Sequence, residues 1–217
     1  MTTLTSQLAD YQAAFKQRVA PEQVAMMEAA TLNLRTSGIE ASALGMGAPL
    51  VDIALTNAIG QSVQLKALHA GKTTVVIFYR GGWCPYCNLE LRAWQSLLPD
   101  LQKLGAQLLA ISPQLPDSSL STAEISELAY PVLSDSALAA ATAFGIAFTL
   151  PPELVDLYSK VGNDLPTING NGQWVLPVPA TFVLDESGKV IYRHVEADYR
   201  QRAEPSDVLS LLQERIR

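Results

Sequence analysis

The feature that most limits how this chain can fold is a succession of three segments: an apolar one, an amphipathic one and a second apolar one. Residues 73–79 (TTVVIFY) are nearly continuous in β-branched and aromatic side chains, which is typical of a central strand covered on both faces. From 94 to 104 apolar residues recur at three- and four-residue steps up to Gly105, which predicts an amphipathic helix of about four turns. Residues 107–112 predict a second buried strand. A strand, a helix and a strand joined in this way form a right-handed βαβ unit, so the class is α/β.

The segment before this unit predicts an N-terminal helical extension. Apolar residues between 5 and 34 recur at helix-like intervals that are broken near Pro21, which indicates two helices. Residues 36–47 then lose this period and become rich in Gly, Ser and Ala, which favours a boundary there. We therefore expect residues 1–44 to form the extension and residues 45–217 to form the main domain.

The main domain carries further elements and one insertion. The additional predicted elements are a hairpin at 50–65, a helix at 118–128, a strand at 130–133, a helix at 135–144, a hairpin at 181–195 and a helix at 205–216. Residues 146–174 are predicted to be an insertion. Pro151 and Pro152 could open a helix that runs through Tyr158, whereas 162–174 shows no period and predicts a loop.

Composition and charge exclude several classes of protein. With 48% apolar and 17% charged residues, the chain is neither collagen-like nor intrinsically disordered. The formal net charge is −6 and no run of Lys and Arg occurs, which argues against a nucleic-acid partner. Residues 1–20 lack the apolar core of a secretory signal, and the apolar stretch at 137–150 is shorter than the ~20 residues that span a bilayer. We expect a cytoplasmic protein with no membrane association.

The chemistry-bearing feature is a pair of cysteines, Cys84 and Cys87, which are the only two in the chain. They lie where the predicted strand becomes the predicted helix, so unpaired amide N–H groups and the helix dipole favour a thiolate there. The guanidinium of Arg80 could add to this effect. The spacing lets the two sulfurs reach disulfide distance, and Pro85 stiffens the intervening turn. The pattern predicts a redox-active dithiol.

Other interpretations of these residues stay open. The cysteines could be half of a zinc site, but the two histidines, His69 and His194, are isolated and not at ligand spacing, so no metal or other cofactor is expected. The cysteines could also be buried and inert. Trp83 could be a packing residue or an apolar lip beside the thiols, and Arg80 could be a solvated charge.

The cysteine segment resembles the redox motif of the thioredoxin superfamily, in which Trp-Cys-x-x-Cys follows an apolar strand. Here it reads Trp83-Cys84-Pro85-Tyr86-Cys87, and the likeness extends from about Gly47 to the C-terminus. The leader at 47–50, the hairpin at 55–65 and residues 78–80 are similar to the alkyl hydroperoxide reductase and thiol-specific antioxidant branch, within its peroxiredoxin-like members. The resemblance implies a thioredoxin-like fold with a central mixed β-sheet flanked by helices.

A second segment, residues 178–182 (VPATF), resembles the part of thioredoxin where a cis-proline precedes a strand and faces the cysteine pair. The resemblance implies a cis bond between Val178 and Pro179. It adds Pro179 and Thr181 to the supporting residues of the site. The other supporting residues are Arg80, Trp83, Pro85 and Tyr86.

The chain departs from the peroxiredoxin pattern at most of its activating positions. Peroxiredoxins carry a proline, a threonine three residues before the peroxidatic cysteine, and a distant arginine. With Cys87 in the peroxidatic position, these three positions hold Arg80, Cys84 and Pro179. The thioredoxin pattern matches more completely: it implies that Cys84 is an exposed nucleophile, Cys87 the resolving thiol and Pro179 the substrate-binding proline. The pair Pro85-Tyr86 resembles glutaredoxin, which implies glutathione as an electron donor.

The sequence therefore predicts a thiol-based antioxidant oxidoreductase that reduces hydroperoxides through a dithiol–disulfide cycle of Cys84 and Cys87. The alternative is a thioredoxin- or glutaredoxin-like thiol–disulfide oxidoreductase acting on protein disulfides or glutathione adducts. A redox sensor without turnover is a third reading. Thioredoxin, glutaredoxin or glutathione is the expected reductant. Which cysteine attacks first stays open at this point, as does whether the N-terminal helices mediate a homodimer.

Overall fold

A mixed β-sheet forms the centre of the computed structural model, which describes residues 2–116 and 127–216. The described strands are, in chain order, β1 (Ala54–Asn57), β2 (Ser62–Gln64), β3 (Thr74–Phe78), β4 (Gln107–Ser112), β5 (Val132–Ser134), β6 (Ala147–Thr149), β7 (Val175–Pro177), β8 (Ala180–Leu184) and β9 (Val190–Val195). Strands β6 and β7 pair as a separate two-stranded sheet. The others form one sheet in the order β2-β1-β5-β4-β3-β8-β9.

The strand directions confirm the predicted α/β class with a mixed sheet. Strand β3 is parallel to β4, in the register Thr74 to Gln107, and antiparallel to β8. Strand β4 is also parallel to β5, whereas β1–β2 and β8–β9 are the two predicted hairpins. All five residues of β3 are buried, because helices cover both faces of the sheet.

Helices pack on the two faces of the sheet. They are α1 (Leu4–Arg18), α2 (Pro21–Thr36), α3 (Ile39–Ser42), α4 (Leu65–His69), α5 (Pro85–Lys103), α6 (Ala139–Ala143), α7 (Pro152–Lys160), α8 (Leu165–Ile168) and α9 (Pro205–Ile216). Alternate residues of β3 face opposite sides: Val75 and Ile77 join the core under α1, α5 and α9. Val76 and Phe78 join the core on the other face, with residues of α4 and α6.

The N-terminal helices lie against the part of the molecule that holds the two cysteines. Helix α1 packs on α5, and α2 packs on α7. Leu4 and Leu8 of α1 are buried, and the Glu204 carboxylate accepts hydrogen bonds from the backbone N–H groups of Leu4 and Thr5. These contacts attach α1 to the rest of the molecule, and the domain boundary at residue 44 stays a prediction.

Some predicted elements differ from the observed ones. Helix α6 is shorter than the predicted helix at 135–144, because the carboxylate of Asp135 accepts hydrogen bonds from the N–H groups of Ala140 and Ala141 at its start. The predicted loop at 162–174 contains the short helix α8, whose Leu165 is fully buried against α7. Most of the helix predicted at 118–128 lies outside the described residues. No helix within 2–116 and 127–216 combines the length and the apolar character needed to cross a membrane.

Candidate active site

Local backbone geometry places both cysteines at the start of α5. Cys84 is the N-cap residue, Pro85 occupies the first turn, and Cys87 lies on the buried face of the helix. The path of the backbone from β3 into α5 requires a glycine at position 81. The φ of Gly81 is +140°, and a Cβ there would lie 2.5 Å from Trp83 Nε1 and 2.9 Å from Gln114 Oε1. The sharp turn between β3 and α5 thus presents the sulfurs beside the first amides of the helix.

Both thiols are free and buried, which makes the expectation of an exposed nucleophile wrong. Cys84 is 2% exposed and Cys87 is 0% exposed. The cause is the cover formed by the end of α1, the start of α2, and α7. Between this cover and Cys84 lies a cavity of about 220 Å³, hereafter the thiol cavity, whose wall includes Phe15, Val19 and Tyr158.

The two sulfurs differ in acidity. The hydrogen bond that Cys87 donates lowers the pKa of Cys84 to about 6, with help from the charges of Arg80 and Arg202 and against the effect of burial. Burial raises the pKa of Cys87 well above its usual value, and so does its hydrogen bond to Cys84. Near neutral pH the arrangement is therefore a Cys84 thiolate that accepts a hydrogen bond from a Cys87 thiol, which favours Cys84 as the attacking sulfur.

Arg80 is not a solvated charge, because it is only 3% exposed. Its guanidinium carbon lies 4.3 Å from the ring centre of Tyr199, 5.0 Å from that of Trp83 and 5.5 Å from that of Tyr158. One guanidinium nitrogen also donates a hydrogen bond to the Tyr158 hydroxyl. These rings hold a permanent positive charge next to the cysteine pair.

Sequence reasoning missed a second buried cation, Arg202, and its carboxylate partner, Glu90. Arg202 Nε lies 2.5 Å from Glu90 Oε2, and its Nη2 lies 3.4 Å from Cys87 Sγ. Burial raises the pKa of Glu90 to about 7 against the opposing charge of Arg202. Glu90 could have been noticed, since it lies one helical turn after Cys87 on the buried face of α5. No local pattern marks Arg202.

The structure brings most of the predicted supporting residues to the site. Trp83 packs edge-on against Tyr158, at 5.6 Å between ring centres, and Tyr86 packs on Tyr11 and Tyr199. Pro85 is exposed at the rim of the thiol cavity.

Pro179 and Thr181, which were added to the site from the resemblance to thioredoxin, do not have the geometry that the resemblance implied. The peptide bond before Pro179 is trans, so the expected cis bond is wrong. The Val178 N–H donates a hydrogen bond to the Ile146 carbonyl at 2.7 Å, which continues the β6–β7 ladder. The Val178–Pro179 peptide bond has the trans isomer, which is the more stable one for most X–Pro bonds. Thr181 pairs with Ile77 inside the sheet and is buried away from the thiol cavity.

Comparison with known proteins identifies the family. Residues 46–193 match the AhpC/TSA family. The protein belongs to this family. The matched residues of this AhpC/TSA protein hold the cysteine pair, Arg80 and Glu90, whereas helices α1 and α2 and Arg202 lie outside the match.

Individual relatives of this AhpC/TSA protein are distant. Over 103 residues the chain is 31% identical to peroxiredoxin Bcp of Xanthomonas campestris, covering 48% of this chain and 64% of that protein. Over 151 residues it is 28% identical to the thiol-disulfide oxidoreductase ResA of Geobacillus thermodenitrificans, covering 70% of each. The crystal structure of peroxidoxin BcpB of Mycobacterium tuberculosis matches with a TM-score of 0.62 and 21% identity, over 79% of this chain and 97% of that one. These likenesses confirm the predicted thioredoxin-like fold.

Proposed function

We propose that this AhpC/TSA protein is a thiol-based antioxidant oxidoreductase that reduces hydroperoxides through a Cys84/Cys87 dithiol–disulfide cycle. One observation carries the proposal: an acidic Cys84, hydrogen-bonded by a neutral Cys87, forms part of the wall of a small cavity. This pairing supplies a nucleophilic thiolate and, one turn of helix away, the thiol that resolves its oxidised product.

The reaction begins on Cys84. Its thiolate attacks one peroxide oxygen, the O–O bond breaks, and the departing alkoxide takes a proton to leave as an alcohol, or as water from hydrogen peroxide. Cys84 then carries a sulfenic acid. The positive charge of Arg80 stabilises the thiolate beforehand and the negative charge that moves to oxygen during the attack.

Cys87 completes the oxidative half. It loses its proton and attacks the Cys84 sulfur, the S–S bond forms, and the sulfenic oxygen leaves as water with that proton. Arg202 favours this step, because its hydrogen bond to Cys87 Sγ stabilises the thiolate that forms. Two electrons from an external thiol then restore the dithiol. Thioredoxin, glutaredoxin and glutathione are the proposed donors, in the cytoplasm.

The cover over the sulfurs favours a small oxidant. A disulfide held by another protein must bring its sulfur into contact with Cys84 Sγ, and Cys84 is 2% exposed beneath α1, α2 and α7. A hydroperoxide needs to enter only the thiol cavity of about 220 Å³.

A second candidate function is thiol–disulfide exchange with proteins. It is favoured by the Cys-x-x-Cys arrangement at the start of α5, with the first cysteine acidic and the second not, and by the relative ResA. Under this function the N-terminal helices must move away before each encounter.

Stopped-flow mixing of the reduced protein with hydrogen peroxide, followed by tryptophan fluorescence, separates the two functions. Peroxidase chemistry predicts oxidation much faster than that of a free thiol with the same pKa. Oxidation no faster than such a thiol, together with rapid reduction of a protein disulfide such as that of insulin, would reject the peroxidase in favour of the exchange function.

A further inference from the structure

A second cavity shares part of its wall with the thiol cavity but does not reach either cysteine. It also measures about 220 Å³, and Arg80, Tyr158 and Tyr199 line both cavities. Apolar side chains from α2, from β6 and the residue after it, from α7 and from the link between β7 and β8 form much of the remaining wall. They include Leu34, Phe148, Leu150, Leu154 and Pro179.

Arg80 is the charged group in this wall. It is 3% exposed and has no ion pair with a carboxylate among residues 2–116 and 127–216. Its Nε–H also lacks a hydrogen-bond acceptor there. A buried cation without an anionic partner is costly, so an anion that enters the cavity gains a strong interaction. The nearby sulfur of Cys84 balances this charge only while it is a thiolate.

The size and lining of the cavity select the rest of the ligand. An apolar cavity of about 150 Å³ accommodates benzene, so this cavity holds an apolar body of roughly six to eight carbons. The apolar side chains on its wall offer such a body a surface with few polar groups to desolvate.

We propose that this cavity binds a monocarboxylate with a short apolar body, whose carboxylate pairs with Arg80 and whose body contacts Leu34, Phe148 and Leu154. Oxidation of Cys84 and Cys87 to the disulfide strengthens the binding, because it removes the thiolate that competes for Arg80. Linkage makes the effect reciprocal: bound carboxylate favours the disulfide over the dithiol by the same factor. The site therefore couples the presence of an amphipathic acid to the redox state of the cysteines.

The test is calorimetric titration of the full chain at pH 8 with octanoate, with octanol as the uncharged probe and acetate as the probe without an apolar body. The disulfide form is expected to bind octanoate at least about tenfold more tightly than octanol. Acetate is expected not to saturate, and the dithiol form is expected to bind octanoate several-fold more weakly than the disulfide form.

Two variants on one helix locate the site. Leu34→Trp fills the cavity and is expected to abolish octanoate binding while Cys84 keeps its rate of alkylation by iodoacetamide. Leu32→Trp is the matched control, since Leu32 is 57% exposed and is not part of the cavity wall. Equal affinity for octanoate and octanol, equal affinity of the two redox forms, or unchanged binding in Leu34→Trp would each overturn the proposal. The redox dependence rests on the Cys84/Cys87 disulfide of the proposed function, but none of these measurements uses peroxide, so failure of octanoate binding and failure of the peroxidase activity are distinguishable.

Discussion

Arg202 donates a hydrogen bond to the sulfur of Cys87 across 3.4 Å, although 115 positions separate the two residues in the chain. The same guanidinium holds the Glu90 carboxylate and donates to the backbone carbonyls of Tyr199 and Gln201. A cation, a carboxyl group and a thiol are therefore buried together beside the first turns of α5. Because they share one low-dielectric environment, a change in the charge of one changes the acidity of the others.

Replacing Glu90 by Gln is expected to lower the pKa of Cys87. The carboxylate now offsets part of the Arg202 charge, and its removal leaves more of that charge to stabilise a Cys87 thiolate. The measurement is the pH dependence of Cys87 alkylation by iodoacetamide in a Cys84→Ser background. Glu153→Gln, at an exposed position of α7, is the control and should leave the midpoint unchanged. A midpoint that stays in place or rises in Glu90→Gln would contradict the expectation.

The two serine variants should separate attack from resolution. Cys84→Ser is expected to react with hydrogen peroxide no faster than a free thiol, since its remaining cysteine is a buried group of raised pKa. Cys87→Ser is expected to be oxidised once, to a sulfenic acid on Cys84 that dimedone traps and mass spectrometry detects. Loss of fast oxidation in Cys87→Ser with retention in Cys84→Ser would reverse the assigned roles.

The acidity of Cys84 should appear in the pH dependence of both reactivity and stability. Its alkylation rate is expected to rise as pH rises through about 6 and then to level off. The folded thiol has the lower pKa, so between about 6 and its usual value of 9.0 the unfolded chain binds more protons. The stabilisation is complete above that range and is lost as pH falls through about 6.

Urea unfolding of the dithiol form checks this sign. The free energy of unfolding of the wild type, relative to Cys84→Ser, is expected to increase with pH across that window. Burial raises the pKa of Glu90 from 4.5 to about 7, which gives the opposite slope between those values, and comparison with Cys84→Ser removes most of that contribution. A difference that is flat or falls with pH would show that Cys84 is not acidic in the folded protein.

Gly81→Ala is expected to destabilise the protein by about 2–4 kcal/mol, because it combines a positive φ with a Cβ placed 2.5 Å from Trp83 Nε1. Gly60→Ala is the matched control: its φ is +80° but no atom of residues 2–116 and 127–216 lies within 4 Å of the added Cβ, so a loss of only about 1 kcal/mol is expected. Urea unfolding gives both values. Equal losses would mean that Trp83 and Gln114 move away from the added methyl group without cost.

Shortening a side chain of the cover over Cys84 should change the oxidation rate with large oxidants more than the rate with small ones. Phe15→Ala widens the thiol cavity near the end of α1, so the rate with oxidised glutathione is expected to increase while the rate with hydrogen peroxide stays the same. Gln17→Ala, on the exposed face of the same helix, is the control. Stopped-flow fluorescence with each oxidant provides the comparison, and a parallel increase for both oxidants would argue against a role of the cover in selection.

Local sequence patterns were enough to predict much of the fold. The β-branched run at 73–79 predicts β3, the apolar spacing up to Gly105 predicts α5, and residues 107–112 coincide with β4. Such patterns can be recognised because helices and strands bury one face or both at fixed periods along the chain. A cis bond was expected before Pro179, but the bond is trans. The local sequence could not show this, because the β6–β7 pairing that sets the path of Val178 joins residues about thirty positions apart.

The sequence by itself determined where the proposed redox chemistry is assigned: two cysteines at the junction of a strand and a helix, where backbone dipoles favour a thiolate. Only the tertiary structure decided which thiol is acidic, that both are covered, and which cations face them. Arg202 meets Glu90 across 112 positions, and Tyr158 meets Arg80 across 78. Contacts of that separation leave no periodic trace in the sequence, because they depend on how the packed elements meet rather than on the local course of the chain.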